Sequence, residues 1–440
     1  GTGLNETNSI SKSGLIIGTP QSSEAVKRLP FSSDIEQLND EGYIIRSVKN
    51  NGKPATVIVA KTDIGILYGV FHYLRLMQTQ NEVSALDIKE EPKLSHRVLN
   101  HWDNLDGSIE RGYAGYTLWD WARLPRYVDA RVIDYARANA SIGINGTVLN
   151  NVNASTESLR PEWLIKASGL ADALRPYGIR VYLTARFSAP KEIGGLDTAD
   201  PLNPQVRQWW KDKAEEIYKY IPDFGGFLVK ANSEGQPGPQ DYGHTHADGA
   251  NMMAEALAPY GGVVFWRAFV YHNERHIDRV VNGYNEFKPL DGEFSKNVFV
   301  QPKNGAIDFQ PREPFHPLFG SMPKTALAIE FQITQENLGH SGHLVYLGSL
   351  FEETLQSDTY ANGKGSTVSK VLQGYQKTHG ISGIAGVPNI GTDLNWTGHL
   401  FGQANWHAFG RLAWNPDLKA QDLSEEWIRM TFSNNPKIVS

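Results

Sequence analysis

Three acidic residues, Glu234, Asp308 and Glu336, each come shortly after an apolar stretch of the chain that has the length of a buried β-strand. If those strands are parallel neighbours in a barrel, the three carboxylates lie at the same end and converge on one pocket. Such a set is typical of glycoside hydrolysis, in which a protonated carboxyl assists the leaving oxygen and an ionised carboxylate activates water or attacks directly. The alternative is that the acids cap helices or pair with lysine and arginine side chains.

Three basic residues, Lys230, Arg267 and Lys303, occur at the ends of the same apolar stretches. Arginine offers two parallel hydrogen bonds to a carboxylate and lysine adds a point charge, so together they fit an anionic group on a ligand. An equally good interpretation is that the three residues form ion pairs that hold the rim of the pocket together. Trp102, at the end of the first stretch, is a candidate for stacking on a sugar ring or for packing in the core.

Apolar stretches alternate with amphipathic helical patterns from about residue 94 to residue 412. The strand candidates are 97–102, 142–150, 180–186, 226–231, 262–269, 297–301, 326–333 and 381–387. The helix candidates are 131–140, 161–174, 204–220, 252–258, 273–287 and 368–378. Short buried strands that alternate with helices predict parallel βαβ units, and eight strands predict a closed (β/α)8 barrel, or TIM barrel.

Residues 1–92 have the pattern of a small, sandwich-like α/β domain. Alternating stretches at 42–48 and 56–60 flank Asn50-Asn51-Gly52, which is typical of a β-hairpin, and Thr62 is a good cap for a following helix. We therefore predict an N-terminal domain at 1–92, a barrel at 93–412, and the beginning of an apparently truncated C-terminal helical domain at 413–440.

Composition excludes several classes of protein. The chain has no cysteine, so it has no disulfide, no cysteine-ligated metal and no thiol nucleophile. The 42 basic and 48 acidic residues give a net charge of -6, which offers no basic footprint for nucleic acid or an anionic membrane surface. No apolar run reaches the roughly 18 residues of a membrane-spanning helix.

No motif in the chain predicts a cofactor or a metal. The His-Thr-His sequence at 244–246 resembles a metal-ligand pair, but it follows the predicted fourth strand in a Gly- and Pro-rich loop instead of closing the first strand. The segment at 363–367 lacks the upstream glycine and the Lys-Ser/Thr pair of a phosphate-binding loop.

Long motifs in the predicted loops resemble those of the glycoside hydrolase family 67 α-glucuronidases. They are HWDNLDGSIERGY (101–113), FLVKANSEGQPG (227–238), QPKNG (301–305), IDFQPREP (307–314) and EFQITQE (330–336). The resemblance covers nearly the whole chain. It implies hydrolysis of glucuronic acid, or its 4-O-methyl form, α-1,2-linked to the terminal non-reducing xylose of xylooligosaccharides, by a single displacement with inversion and without a metal.

The resemblance also implies a role for each carboxylate. Glu234 would be the general acid, and Asp308 and Glu336 would together hold and deprotonate the attacking water.

Five further residues would bind the sugar in a member of this family. They are Arg267 and Lys303 on the uronate carboxylate, Lys230 nearby, Trp102 as an aromatic wall and Val152 beside the 4-O-methyl group.

The sequence departs from the family pattern at its C-terminal end. Family members continue into a large helical domain that covers part of the pocket and often carries a dimer contact, whereas this sequence ends at Ser440. The alternative function is therefore a catalytically weak or inactive barrel that binds uronic-acid sugars, and the homodimer depends on that domain. Because the chain opens on Gly-Thr-Gly instead of Met, we expect a periplasmic or extracellular location over a cytoplasmic one.

Overall fold

The computed structural model describes residues 14–50, 52–153, 155–270, 278–310, 313–334, 336–338 and 343–440. Within these ranges the chain forms a four-stranded sheet, an eight-stranded parallel barrel with surrounding helices, and further helices at the C-terminal side. The predicted fold class, a (β/α)8 barrel between a small α/β domain and the start of a helical region, is confirmed.

The N-terminal sheet is a mixed one. Its strands are β1 (Gly14–Gly18), β2 (Tyr43–Asn50), β3 (Lys53–Ala60) and β4 (Asp87–Glu90). Their spatial order is β1-β3-β2-β4, and β2 and β3 form the predicted antiparallel hairpin. β1 instead runs parallel to β3.

Helices cover both faces of this sheet. They are α1 (Glu24–Lys27), α2 (Ser32–Glu36) and α3 (Asp63–Gln78). Successive residues of β2 point to opposite faces, so Ile44 packs with α1 and α2 while Ile45 packs with α3. Thr62 caps α3 as predicted, because its hydroxyl oxygen accepts a hydrogen bond from the Gly65 amide at 3.2 Å.

Eight parallel strands form the barrel. They are β5 (His96–Asn100), β6 (Gly146–Val148), β7 (Arg180–Thr184), β8 (Gly226–Val229), β9 (Val263–Arg267), β10 (Val298–Gln301), β11 (Ala328–Gln332) and β12 (Gly383–Val387). Each strand lies within or overlaps the stretch predicted for it. Their spatial order is β10-β9-β8-β7-β6-β5-β12-β11, and bridges between Val300 and Leu327 and between Lys303 and Glu330 join the two ends.

The start of β8 requires a glycine. Gly226 has a φ of +137°, and a Cβ built on it would lie 1.8 Å from the carbonyl oxygen of Val263 on β9. Only a residue without a side chain allows the two backbones to approach so closely. The glycine thus allows β8 to pair closely with β9 in the observed register.

Eight α-helices lie between the barrel strands within the described ranges. They are α4 (Ala130–Ser141), α5 (Pro161–Leu174), α6 (Ala189–Glu192), α7 (Pro204–Tyr220), α8 (His246–Leu257), α9 (Arg279–Phe287), α10 (Gly348–Gln356) and α11 (Val368–His379). α8 begins earlier than predicted because Thr245 and Asp248 form a reciprocal capping box at its start. Of the predicted helix at 273–287, residues 273–277 lie outside the described residues.

The C-terminal helices pack on the barrel. They are α12 (Gly402–Trp414), α13 (Ala420–Thr431) and α14 (Pro436–Val439). Trp406 and Phe409 of α12 and Leu423 of α13 belong to the same hydrophobic core as the barrel strands. α12 and α13 are therefore part of one continuous core with the barrel.

A partly buried ionic cluster joins the N-terminal domain to the C-terminal helices. Glu426 on α13 accepts hydrogen bonds from Arg411 and His407 of α12 at 2.9 Å and lies 3.3 Å from Arg75 of α3. Although burial opposes it, the charge of Arg411, the hydrogen bond from His407 and the charge of Arg75 hold the pKa of Glu426 well below its usual range. The carboxylate is thus ionised at neutral pH and links three helices.

Candidate active site

The loops that follow the barrel strands contain several residues in the left-handed backbone region. Positive φ angles of 56°, 49°, 50°, 54° and 42° occur at Arg111, Asn232, Glu234, Phe309 and Asn389. This conformation is unfavourable for residues with a Cβ and collects at functional sites, where the surrounding structure imposes it. All five follow the C-terminal ends of strands, which is the catalytic face of a (β/α)8 barrel.

Glu234 lies on the loop after β8 and is held by Lys230. The Lys230 ammonium donates hydrogen bonds to the Glu234 carboxylate and, at 2.9 Å, to the side-chain oxygen of Asn153. Lys230 is buried, and that burial lowers its pKa although the hydrogen bond to Glu234 opposes the shift. The Glu234 side chain is 47% exposed, so the candidate acid is accessible to solvent on this loop.

Arg267, the last residue of β9, is paired with a carboxylate that sequence analysis did not single out. Its Nη2 and Nε donate to Oε1 and Oε2 of Glu330 on β11 at 2.6 and 3.1 Å. Both side chains are buried, and Gln301 and Asn100 also donate to Glu330 Oε2. Such a satisfied, two-point pair fixes the plane of the guanidinium.

Lys303 and Asp308 form the third group, on the loop after β10. The Lys303 ammonium donates to Asp308 Oδ1 and lies 3.3 Å from the centre of the Phe269 ring and 4.4 Å from that of Phe309. Burial, with a contribution from the charge of Arg267, lowers the pKa of Lys303 to about 8. The ammonium form of Lys303 is therefore the main one at neutral pH, and the positive charge is lost as the pH rises through about 8.

Glu336, on the loop after β11, is held from two sides. Arg111 Nε donates to its Oε1 at 2.6 Å and Gln332 Nε2 donates to its Oε2 at 2.7 Å. The Glu336 charge raises the pKa of Arg111. Because each carboxylate oxygen has its own donor, the orientation of Glu336 is set by both neighbours.

Trp102 and Val152 lie on adjacent loops after β5 and β6. Both are buried, and the Asn151 amide bonds the Asp103 carbonyl at 2.8 Å, which ties the two loops together. The indole nitrogen of Trp102 is buried with no hydrogen-bond partner in the described part of the chain. All eight residues selected from the sequence thus lie at the C-terminal side of the barrel strands, and their roles stay predictions.

Arg267 is within electrostatic reach of both Lys230 and Lys303. Burial is the main cause that lowers the pKa of Lys230 and of Lys303, and the charge of Arg267 lowers both pKa values further. Each cation also has a carboxylate partner, so the ion-pair interpretation and the anion-binding interpretation describe the same side chains.

Sequence analysis missed the partners that orient these groups. Glu330 is a charged residue in the middle of a fully buried strand, a pattern that marks a buried and hydrogen-bonded carboxylate. Arg111 and Asn153 gave no comparable signal, because they stand on loops and their contacts join segments far apart in the chain.

The histidines at 244 and 246 do not share a site. His244 Nε2 lies 3.2 Å from Asp200 Oδ1, whereas His246 Nε2 lies 3.1 Å from Glu286 Oε2. Among the described residues, no three histidine, aspartate or glutamate side chains are grouped as a metal site.

No helix in the described ranges is long and apolar enough to cross a membrane.

Comparison with known protein families gives matches along most of the chain. The model of the glycosyl hydrolase family 67 middle domain matches residues 76–396, and those of the N-terminus and the C-terminus match residues 2–73 and 397–440. The chain belongs to glycosyl hydrolase family 67. The resemblance drawn from the loop motifs is thereby confirmed.

Relatives within family 67 carry the name α-glucuronidase. Alpha-glucuronidase A of Emericella nidulans is 43% identical over 92% of this chain and 49% of its own length. Alpha-glucuronidase of Hypocrea jecorina is 43% identical over 92% of this chain and 48% of its own length. The chain therefore spans about half the length of the curated relatives it matches.

A solved structure shares the fold at low sequence identity. It is a GH138 enzyme targeting pectin rhamnogalacturonan II, with a TM-score of 0.54 and 14% identity over 95% of this chain and 52% of the other. At that identity the likeness concerns the fold alone.

Proposed function

We propose that this chain is an α-glucuronidase that releases α-1,2-linked glucuronic acid, or its 4-O-methyl form, from the terminal xylose of xylooligosaccharides. The observation that carries the proposal is that each candidate catalytic acid pairs with a cation at the barrel mouth. The pairs are Glu234 with Lys230, Asp308 with Lys303, and Glu336 with Arg111. The names of the family 67 relatives support the same activity.

The uronate carboxylate would be bound by Arg267 and Lys303. Glu330 occupies Nε and Nη2 of Arg267, and within the described ranges no residue bonds to Nη1. That nitrogen can donate to an incoming carboxylate while Glu330 keeps the guanidinium in its plane. Lys303, which Arg267 influences electrostatically, supplies the second positive charge.

Hydrolysis would be a single displacement with inversion. Glu234, in its protonated form, gives its proton to the departing xylose oxygen, and Asp308 and Glu336 hold the water and take its proton as that water attacks the anomeric carbon from the opposite face. Asp308 and Glu336 stand on neighbouring loops, after β10 and β11, whereas Glu234 follows β8. The acid and the base pair therefore approach the sugar from separate parts of the rim.

Trp102 and Val152 would complete the sugar site. Both side chains are buried on loops that bond to each other, and we expect them to supply the apolar side of the sugar site. An apolar surface suits a ring face or a methyl ether, which supports acceptance of the 4-O-methylated sugar.

The proposal is tested with a pair of substrates that differ only at the uronic acid. One is an aldouronic oligosaccharide, and the other is the same molecule after chemical reduction of its carboxyl group to an alcohol. We expect release of glucuronic acid from the first and almost no sugar release from the second, because the second offers no anion to Arg267 and Lys303. Equal release from both substrates would contradict the proposal.

Calorimetry with the intact substrate distinguishes the alternative function. A barrel that only binds uronic-acid sugars gives measurable binding and no product. The homodimer that the family resemblance implies stays a prediction, which analytical ultracentrifugation of the chain would test.

A further inference from the structure

An aromatic cage surrounds the ammonium of Lys303. The ring centres of Phe269, just past the end of β9, and Phe309, after Asp308, lie 3.3 and 4.4 Å from Lys303 Nζ. Both rings are buried. A cation within about 6 Å of a ring centre is attracted to the negative face of that ring, and the attraction grows where water is excluded.

Phe269 serves two cations at once. The guanidinium carbon of Arg267 lies 5.7 Å from the centre of the same ring that contacts Lys303. Two buried positive charges repel each other, and the charge of Arg267 is one cause of the lowered pKa of Lys303. The ring attracts both charges and so offsets part of that repulsion.

Phe309 ties the cage to a candidate base. It directly follows Asp308 and has a φ of +54°, and Asn337 donates a hydrogen bond to the Asp308 carbonyl at 2.9 Å. The same turn of backbone therefore places the Phe309 ring over Lys303 and the Asp308 carboxylate beside it.

The ionisable groups around Lys303 come from several elements. Arg267 on β9 lowers the pKa of Lys303, whereas Asp308 on its own loop and Glu330 on β11 raise it. Glu313, farther along the same loop, also interacts electrostatically with Lys303. The uncharged rings supplement these groups without adding a further negative charge that would repel a substrate carboxylate.

We propose that Phe269 and Phe309 are positioning residues that keep Lys303 in its charged form next to Arg267, so that the two cations can bind one carboxylate. This inference rests on the proposed function, because the anion concerned is the uronate. It extends that function by assigning two aromatic side chains to the recognition of the acid.

The test follows the titration of Lys303 itself and needs no substrate. The intact chain is labelled with ¹³C-lysine, the Lys303 ¹³Cε signal is assigned by its loss in Lys303→Met, and its midpoint is followed by NMR from about pH 6 to about pH 10. We expect the midpoint to fall by about half a unit to one and a half units in Phe269→Leu and in Phe309→Leu. Phe309→Tyr, which keeps the ring, should return it close to the wild-type value.

Phe294→Leu is the matched control. Phe294 is buried to nearly the same degree as Phe269, with 8% against 7% exposure, but it precedes β10 and so lies at the opposite end of that strand from Lys303. The Lys303 midpoint in Phe294→Leu should equal that in the wild type. An unchanged midpoint in folded Phe269→Leu and Phe309→Leu would overturn the inference.

A binding experiment separates this inference from the proposed function. The affinity for glucuronate, measured by calorimetry at about pH 6 and about pH 8, should fall more steeply with pH in Phe269→Leu than in the wild type. If the NMR midpoint moves as expected but the wild-type chain releases no glucuronic acid, the cage stands and the proposed function fails. If glucuronic acid is released and the midpoint does not move, the proposed function stands and the inference about the cage fails.

Discussion

Arg267 on β9 and Glu330 on β11 form a two-point ion pair, with nitrogen–oxygen distances of 2.6 and 3.1 Å and both side chains buried. The pair holds the Arg267 guanidinium in one plane. Its third nitrogen, Nη1, has no hydrogen-bond partner in the described part of the chain. In the proposed function the orientation of the substrate carboxylate thus depends on a carboxylate of the protein that never touches the reacting atoms.

Removing the arginine should destabilise the fold. Arg267→Met leaves the buried Glu330 without its counter-charge, which we expect to cost about 3–5 kcal/mol in the free energy of unfolding. The double variant Arg267→Met/Glu330→Gln should recover a large part of that loss, because no uncompensated charge remains. Urea unfolding of the two variants and the wild type measures both values. Equal stability of the single variant and the wild type would show that the pair is not coupled as described.

Loss of the candidate acid should slow the reaction in a way that depends on the leaving group. Glu234→Gln cannot donate a proton, so kcat for an aldouronic oligosaccharide should fall by about 10²–10⁴-fold or more. For a 4-nitrophenyl α-glucuronide, whose leaving group needs little protonation, kcat should fall much less in this variant. Steady-state kinetics on both substrates checks this, and equal losses would argue against Glu234 as the acid.

Arg111 should matter through Glu336. Arg111→Met removes the donor to Glu336 Oε1, so kcat should fall about 10-fold or more while KM changes little, and Arg111→Lys should recover part of kcat. Arg123→Met is the matched control, because Arg123 is also about half exposed and also paired, with Asp120. A similar fall in both methionine variants would mean that the effect is not specific to Glu336.

The affinity for the uronate should depend on pH through Lys303. The pKa of Lys303 is lowered to about 8, so its positive charge is present below that pH and is lost as the pH rises through it. KM or the inhibition constant of glucuronate should therefore rise above about pH 8. In Lys303→Arg this rise should move to much higher pH, because guanidinium stays protonated. A flat profile in the wild type would contradict the role of Lys303.

Stability in acid should depend on Glu426. Its folded-state pKa lies below the unfolded value, so the stabilisation is present above the unfolded pKa, near 4.3, and is lost as the pH falls toward the folded value. Glu426→Gln should therefore lower the free energy of unfolding at neutral pH, and the difference from the wild type should shrink as the pH falls below about 4. A difference that does not vary with pH would contradict this assignment.

The architecture was predictable because it depends on local patterns. Strand-length apolar stretches, Asn-Gly in the hairpin and the Thr62 cap act within a few residues, and the structure has the corresponding elements. α8 was placed too late because the capping box at Thr245 was not recognised in a loop rich in glycine and proline.

The positions of the candidate acids were predictable for a related reason, since residues after parallel strands gather at one end of a barrel. Their partners were not. Glu330 with Arg267, Arg111 with Glu336 and the Phe269 ring with Lys303 depend on which loops fold over one another, a property of tertiary packing that no short window of sequence contains.

The most direct test of the central claim is the configuration of the first product. An aldouronic oligosaccharide is mixed with the chain, and the anomeric protons of the released glucuronic acid are followed by ¹H NMR before mutarotation becomes complete. Inverting hydrolysis of the α-linkage, with Glu234 as acid and Asp308 and Glu336 as base pair, predicts that the β-anomer appears first and that Glu234→Gln releases little of either. First appearance of the α-anomer, or undiminished release by Glu234→Gln, would contradict the account.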